Sequence, residues 1–528
     1  MCYRVLPFCF ISVLHGQTQV LTSNYGNERT NANLSETVLT PANVNPAQFG
    51  KLVEFQVDGQ IYGQPLYVTG VAIAEQGVRN VVYVVTMHNT VYAFDADLPC
   101  STTPLWQVNL GPSLPVQAIG FRVIDPEIGI LSTPAIDLGT NTLYLVAETY
   151  ELGSPVFRLH ALDLSDGSEK LGGPVIIQAS ADGSGDASQD GNIVLDPYQH
   201  LQRTGLLLAN NSIYIGFGSV RDRYPYHGWI LAYDAGTLNQ ITVFNVTRDG
   251  GSGGVWQSGR GLGSDENGNI YTVTGNGDYD GIDNFGEAFV KLSPSLQVLD
   301  WFAPDDWRDL SDVDNDLGSL GPVLVPGTSV VIGGDKANNL YLVNRENMGH
   351  LGMPDVAVPQ IFQPVSWGGL YNMALWTRDP SSVAYFVEEG DWTGAFRLTN
   401  GVMENSPFSQ TTVTSDWPFQ GMAISANGSA SGILWMTAGD HSVPAVPGIL
   451  YAFDALDLTN LLWTSEMKPE RDRMGGFAKF ATPTVANGRV YVPTFSNSLE
   501  VYGLLERAIR RNRRGCQIDT QPRIHTGH

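Results

Sequence analysis

The chain has 528 residues and a net charge of −24, from 53 acidic against 29 basic side chains. That balance excludes a nucleic-acid surface, which needs basic patches to meet phosphates, and it argues against an anionic membrane face. It suits an exported, self-repelling protein, or one that binds cations.

The chain opens with Met1-Cys-Tyr-Arg4, an apolar run over Val5–Leu14 and then polar HGQTQ. One basic residue, a short apolar core and a polar flank predict a secretory signal peptide over 1–18, too short to span a bilayer. Export to the periplasm or the medium is expected. Residues 19–48 are polar and turn-rich, and are expected to lie across one face of the body that follows. Of four cysteines, Cys2 and Cys9 fall in the leader and Cys516 in the tail, leaving Cys100 alone in the body. No disulfide framework follows, so a large core must supply stability. After Leu505 the composition turns basic, and 506–528 reads as a solvated tail.

Between these ends one pattern recurs. Gly129–Ile177 contains STPAI, NTLYLVAET, VFRLHALDL and a fourth apolar run after the turn Ser165-Asp166-Gly167. Period-2 alternation with Gly, Asn and Asp punctuation is the signature of strands and tight turns. Copies span Ile61–Gly111, Gly129–Ile177, Gln202–Thr247, Val255–Pro304, Leu317–Leu351, Gly368–Met403, Gly421–Glu466 and Phe477–Leu505. The last copy lacks an outer strand, and Phe49–Gly59 resembles the missing one. The pattern predicts an all-β fold: an eight-bladed propeller of four-stranded blades over 49–505, closed by an N-terminal strand that pairs into the last blade. Two stacked sandwiches are disfavoured because no linker interrupts the repeat.

In such a ring the loop between the second and third strands of each blade shares a face with the segment leading into the next blade. That face collects His88-Asn89, 148–158, 218–229, 275–287, 334–339, 388–394, 439–448 and Ser496-Asn497. The leading segments add Gln64, Ser132, Arg203, Trp256–Arg260, Asp316, Ser319, Tyr371, Asn372 and Lys479. Long polar and aromatic loops on one face mark the binding face. Tyr224, Tyr226, Trp229, Tyr279, Trp367, Tyr371 and Trp392 on it suit stacking on a sugar or a flat cofactor, or packing of the ring itself.

One loop there, Asn276-Gly-Asp278-Tyr-Asp280-Gly281-Ile-Asp-Asn284-Phe-Gly-Glu287, follows the spacing D-x-[DN]-x-[DN]-G-x5-E of calcium loops. Asn276, Asp278, Asp280, Asn284 and Glu287 are the candidate calcium ligands; the alternative is an Asx-turn loop whose carboxylates cap backbone amides. Asp312-Val-Asp314-Asn-Asp316 reads as alternating carboxylates on an extended segment, either a divalent site or a turn cap. His88, His227, His441, Arg260, Lys336 and Asp391 are candidates for acid–base or anion-holding groups. No Ser-His-Asp order, zinc spacing or phosphate loop stands out, and Gly-rich 182–191 reads as a loop.

The repeats STPAID…LYLVAET…LHALDLSDG and ATPTVANGRVYVPT…LEVYG resemble those of pyrroloquinoline-quinone (PQQ)-like eight-bladed propellers. That family carries a Trp-docking motif, A-x-D-x-x-T-G-x-x-x-W. Ala161-x-Asp163-x-x-Asp166-Gly167 keeps its spacing with Leu171 in the Trp position; Ala93-x-Asp95, Ala232-x-Asp234 and Ala452-x-Asp454 keep its start, with Trp106 and Trp463 displaced. The likeness covers about residues 20–505 and extends to secreted bacterial proteins with PQQ-type repeats. It implies a PQQ- and calcium-dependent oxidoreductase of alcohols or sugars; its motifs map no site residue here, and Arg260, Trp256, Lys336, Trp392 and His441, taken from the loop-rich face, are the cofactor-binding candidates. Active quinoprotein alcohol dehydrogenases hold adjacent cysteines over the quinone, and this sequence has none. The reading placed first is therefore a monomeric binding propeller for a small polar ligand, a saccharide or a partner protein. A PQQ-dependent dehydrogenase and a polysaccharide-active propeller enzyme are the alternatives.

Overall fold

The computed structural model describes residues 18–97, 102–120, 124–352, 360–387, 392–414, 417, 419–440 and 446–505. The leader through residue 17, the basic tail, Cys100, Asp391 and His441 lie outside the described residues.

Eight small sheets form a ring. Blade 1 runs from the hub outward as Leu66–Ile73, Gly77–Val85, Thr90–Asp95 and Trp106–Asn109, all antiparallel. Blade 2 runs from Ala135–Asp137 to Val175–Ile176, and blade 3 from Leu207–Ala209 to Gln240–Asn245. Blade 4 runs from Gly263–Ser264 to Val298–Ala303, and blade 5 from Leu320–Leu324 to Gln360–Phe362. Blade 6 runs from Ala374–Trp376 to Val402–Met403, and blade 7 from Met422–Asn427 to Asp457–Thr464. Blade 8 takes three strands from the C-terminal end and its outer strand from Phe49–Gln56, paired from Phe49 opposite Leu504 to Gln56 opposite Ser498 with one register shift between Lys51 and Val53. The expected closure is therefore present, and it pairs the edge strand that an open ring would expose.

The core lies between blades. Each large apolar cluster draws on neighbouring sheets: Tyr144, Leu159 and Phe217 across blades 2 and 3, Tyr271, Phe302 and Tyr341 across blades 4 and 5, Phe49, Trp435 and Trp463 across blades 7 and 8. A blade covers neither face alone, so stability resides in the neighbour contacts.

A repeated polar tie crosses these interfaces. Tyr83 of blade 1 donates its hydroxyl to Leu164 O of blade 2 (2.9 Å), Tyr144 of blade 2 to Ala235 O of blade 3 (2.6 Å), and Tyr214 of blade 3 to Pro294 O of blade 4 (2.9 Å). Tyr385 of blade 6 reaches Ala455 O of blade 7 (2.8 Å), and Tyr491 of blade 8 leans on Ala96 O of blade 1 at 3.5 Å. Four of the five accepting turns, all but that of Pro294, are those of the eroded docking motif. In each, the motif Asp caps an amide two residues on: Asp95 to Asp97, Asp163 to Ser165, Asp234 to Gly236 and Asp454 to Leu456, at 2.9–3.1 Å. Trp106, although displaced in sequence, still docks. Its indole donates to Leu164 O at 3.0 Å, and its ring lies where a Cβ on Gly167 would come within 2.7 Å. Gly167 also has φ +74, so both the turn and the close approach require glycine there.

Three expectations change. The outer strand of blade 5 is Gln360–Phe362, beyond the repeat as read; His350–Leu351 instead adds to blade 4, parallel to Phe302 and Ala303. The run 312–316 is not extended: Asp312 ends a helix, Trp307–Asp312, and Asp314 has φ +60. Residues 19–36 do not lie flat across one face but make a circuit of the hub. Val20 pairs with Tyr67, Leu21 O accepts from Ile136 N, and Thr22 donates to Leu206 O. Asn27 O accepts from Ser264 N, Glu28 O from Leu324 N and Thr30 O from Leu375 N; Ala32 then pairs with Ile424, and Asn33 donates to Val485 O. The segment thus bonds to the innermost strand of every blade from 1 to 8.

Candidate functional site

Closing the hub on one side leaves a pocket on the loop-rich face. Its floor is Ser23 and Asn24 of the circuit segment; its walls are Tyr62, Gln64, Leu131, Thr133, Arg203, Ser258–Arg260, Lys479, Phe480 and Thr482, around a small enclosed space below an open mouth. All the wall residues come from segments leading into blades 1, 2, 3, 4 and 8, so the curvature of the ring brings them together.

The floor is held from both sides. Gln64 Oε1 accepts from Asn24 N at 2.7 Å, and Asn24 Nδ2 donates to Asn31 at 2.9 Å. Asn24, Tyr25, Arg29 and Asn31 all have positive φ, a conformation that persists only where surroundings impose it. Arg29 imposes much of it: Nε donates to Leu262 O (2.7 Å) and Nη1 to Ser23 O (2.7 Å) and Thr22 Oγ1 (2.9 Å).

Arg260 follows a tight turn, Gln257–Gly259, in which buried Gln257 caps Val273 N and holds Arg260 O and Gly261 O. Its Nη1 donates to Asn372 Oδ1 at 2.6 Å, its Nη2 to Arg29 O, and its Nε has no partner. Arg203 and Lys479 flank Phe480, their cationic groups 5.7 and 6.0 Å from the ring centre. Phe480, at φ +66, is pinned by its amide to Phe419 O at 2.9 Å. Neither Arg203 nor Lys479 makes a side-chain hydrogen bond or ion pair among the described residues, and no carboxylate lines the pocket.

Uncompensated charge in a confined site lowers the affinity of each cation for its proton. Burial, then the neighbouring Arg203 and Arg221, pulls the Lys479 amine down to about 8. Burial, then Arg29, pulls Arg260 down to about 9, and burial does the same in direction to Arg203. Tyr62 is pushed above its ordinary value by burial, so its hydroxyl stays protonated.

Beside this pocket stands a second polar cluster. Trp256 Nε1 donates to Asp316 Oδ2 at 2.8 Å; Lys336 Nζ meets Asp316 Oδ1 at 2.8 Å and Asp314 Oδ1 at 2.7 Å, and lies 5.5 Å from the centre of the Trp256 ring. Asn276 Nδ2 donates to the same Asp314 oxygen at 2.9 Å. Trp256 also faces Tyr371 and Phe480, with ring centres 6.4 Å away in each case. Glu287 is fully buried, accepts from Leu317 N at 2.6 Å, and is raised well above the carboxylate range by burial and then by Asp316.

Of the five cofactor candidates, Arg260 lines the pocket, and Trp256 with Lys336 forms the adjoining wall. Trp392 packs instead, partly buried, against the apolar core between blades 5 and 6. His441 lies outside the described residues. Arg203 and Lys479 were placed on this face by topology but were not joined to Arg260 as one site. Each stands a few residues ahead of its blade's innermost strand, and that shared position is the signal that could have joined them.

The calcium candidates do not converge. Asp280 accepts from the amides of Ile282, Asp283 and Asn284 at 2.8–2.9 Å and from Asn284 Nδ2 at 2.6 Å. Asp278 accepts from Gly251 N, Asn284 Oδ1 from Asp249 N, and Asn276 and Glu287 have the partners given above. The same D-x-x-x-N clasp recurs as Asp265–Asn269 and Asp335–Asn339, each with a tyrosine hydroxyl added. Among the described residues no group of three or more His, Cys, Asp or Glu could hold a metal ion. His227 is buried, with Nε2 on Asp186 O at 2.7 Å and Nδ1 on Thr247; exposed His88 pairs with Glu127 at 3.1 Å. The described parts of the other loop candidates are thus absorbed in structure.

No protein-family model matches the chain, and no curated protein sequence matches it. Solved structures do match. A quinohemoprotein alcohol dehydrogenase, ADHIIG of Pseudomonas putida HK5, is similar with a TM-score of 0.60 at 13% identity, over 92% of this chain and 80% of that one. BamB of Moraxella catarrhalis is similar with a TM-score of 0.45 at 11% identity, over 86% of this chain and 99% of that one. The first likeness shows the fold alone, the eight-bladed β-propeller that the repeats predict.

Proposed function

We propose that this chain is an exported binding propeller that takes a small anionic molecule into the pocket at its hub. One observation carries the reading. In a protein of net charge −24, Arg203, Arg260 and Lys479 line one pocket with no carboxylate among its lining residues. Burying cations without counter-ions is costly, and an anion that enters offsets that cost. The site occupies the loop-rich face, where propeller ligands are expected, and Phe480, Tyr62 and Trp256 offer flat apolar walls beside the charges. Export rests on the leader read from the sequence.

The fold likeness to a quinohemoprotein alcohol dehydrogenase supports a second reading, a PQQ-dependent oxidoreductase. The cations and flat walls of the pocket suit a planar polycarboxylate such as that quinone, which would supply two-electron oxidation when bound. The calcium that the resemblance implies finds no gathered donor set among the described residues. The polysaccharide-active alternative is separated from both readings by release of unsaturated sugar products, which neither of them gives.

The test is equilibrium titration of leader-less protein with oxalate, citrate and PQQ, the last with and without calcium. The expected result is saturable one-to-one binding that weakens about tenfold or more in Arg203→Gln, as loss of a charge-assisted contact requires. Absence of binding by all three would overturn the reading. Binding of PQQ alone, dependent on calcium, would move the oxidoreductase reading to first place.

A further inference from the structure

We infer that Lys479 is a carbonyl-condensing amine, forming a reversible imine with a small 2-oxo acid whose carboxylate is held by the pocket arginines. The inference rests on the anion-binding reading of the hub.

Four of the five other lysines are engaged, and the fifth, Lys468, lies outside the pocket. Lys51 meets Glu500 at 3.1 Å, Lys170 meets Asp163 at 3.2 Å, Lys291 donates to Arg345 O at 2.8 Å, and Lys336 holds Asp314 and Asp316. Lys479 Nζ makes no hydrogen bond or ion pair among the described residues and rests only near the Phe480 ring, although it lines a walled pocket beside two arginines. A lysine becomes a nucleophile when it is desolvated or set beside another cation, since both favour the neutral amine. Both conditions hold here: burial is the larger cause and Arg203 with Arg221 the smaller, leaving the amine near 8. At neutral pH about a tenth of it is then free base, against well under a thousandth for an ordinary lysine.

The neighbours select the substrate class. A carboxylate on Arg203 or Arg260 places an adjacent carbonyl at the amine, whereas a simple aldehyde has nothing to hold it. The neutral amine attacks the carbonyl carbon to give a carbinolamine. Loss of water, made of the carbonyl oxygen and two hydrogens from the amine, leaves the C=N bond. No oxidant or reductant enters. The protonated Tyr62 hydroxyl on the same wall can donate to the departing oxygen.

The test uses leader-less protein, pyruvate as probe and cyanoborohydride to trap the imine. The expected product gains the mass of pyruvate less one oxygen, maps to Lys479, and forms there about tenfold or more faster than on the other lysines. Oxalate, which binds without a ketone, is expected to protect it. Lys479→Arg is expected to abolish the adduct, and a cooperative urea transition like that of the parent reports that the variant folds. Oxalate binding without a preferred adduct on Lys479 would overturn the inference and leave the hub reading standing. Failure of both oxalate and pyruvate to bind would overturn both.

Discussion

Trp256 and Asp316 are joined by a single hydrogen bond, indole Nε1 to carboxylate Oδ2 at 2.8 Å, while Lys336 grips the other oxygen at 2.8 Å. The aromatic wall beside the hub pocket is thus anchored by an ion pair. Burial holds Asp316 above the usual carboxylate range even with Lys336 in place. Lys336→Met removes the influence that lowers it, so its folded pKa rises further. A carboxylate raised on folding is penalised above that pKa and relieved as it protonates below. The variant should therefore lose about 3 kcal/mol at pH 8 and clearly less at pH 5, read from urea midpoints at the two pH values. An equal loss at both would separate Lys336 from Asp316.

Lys479 carries the opposite sign. Its folded pKa, about 8, lies below the ordinary 10.5, so the charged amine costs stability at neutral pH. The cost is withdrawn as pH rises through 8, where the unfolded chain still holds the proton and the folded one does not. Lys479→Met should be more stable than the parent at pH 7, by a few kcal/mol at most given the open mouth, and most of the gap should be gone by about pH 10. A saturating anion should also narrow the gap. Paired denaturation curves at pH 7 and pH 10 measure it.

Asp280 closes its own loop through three amides and one side-chain amide. Asp280→Ala should cost about 1 kcal/mol, the net worth of exposed hydrogen bonds that water can partly replace. Because those partners are protein groups, the loss should be the same in calcium and in chelator, as thermal melts in both will read. A loss confined to calcium would restore the metal reading of this loop.

The inter-blade tyrosines make a distributed prediction. Tyr144→Phe strands Ala235 O and should cost about 1 kcal/mol. Tyr83→Phe and Tyr385→Phe sit at different interfaces, so the double variant should lose the sum of the single losses. A loss well beyond the sum would mean that the interfaces communicate around the ring.

The fold was legible because its signals are local and repeated. Strands such as Thr142–Glu151 show alternation along their whole length, and the missing eighth outer strand was recognisable at Phe49. The outer strand of blade 5, Gln360–Phe362, spans only 3 residues and cannot display a period. The calcium spacing misled because its Asp280–Asn284 step is the clasp this chain also uses at Asp265 and Asp335; one-dimensional spacing does not say whether a carboxylate faces an ion or an amide. Arg260 was legible as a site residue. Its convergence with Arg203 and Lys479 was not, since they are far apart in sequence and meet only through ring curvature. The circuit segment gave no signal either, for it binds through backbone groups and left-handed residues such as Asn24 and Arg29.

That segment precedes the blades in the chain, yet its partners are spread over all of them, from Tyr67 to Val485. Its residues meet the blades in the order in which the blades are made. During synthesis each completed blade offers one more docking point, and the last appears only with the eighth sheet. The segment therefore works as a gauge of blade number: a ring of seven or nine would meet it out of step, and the floor of the hub pocket would not form.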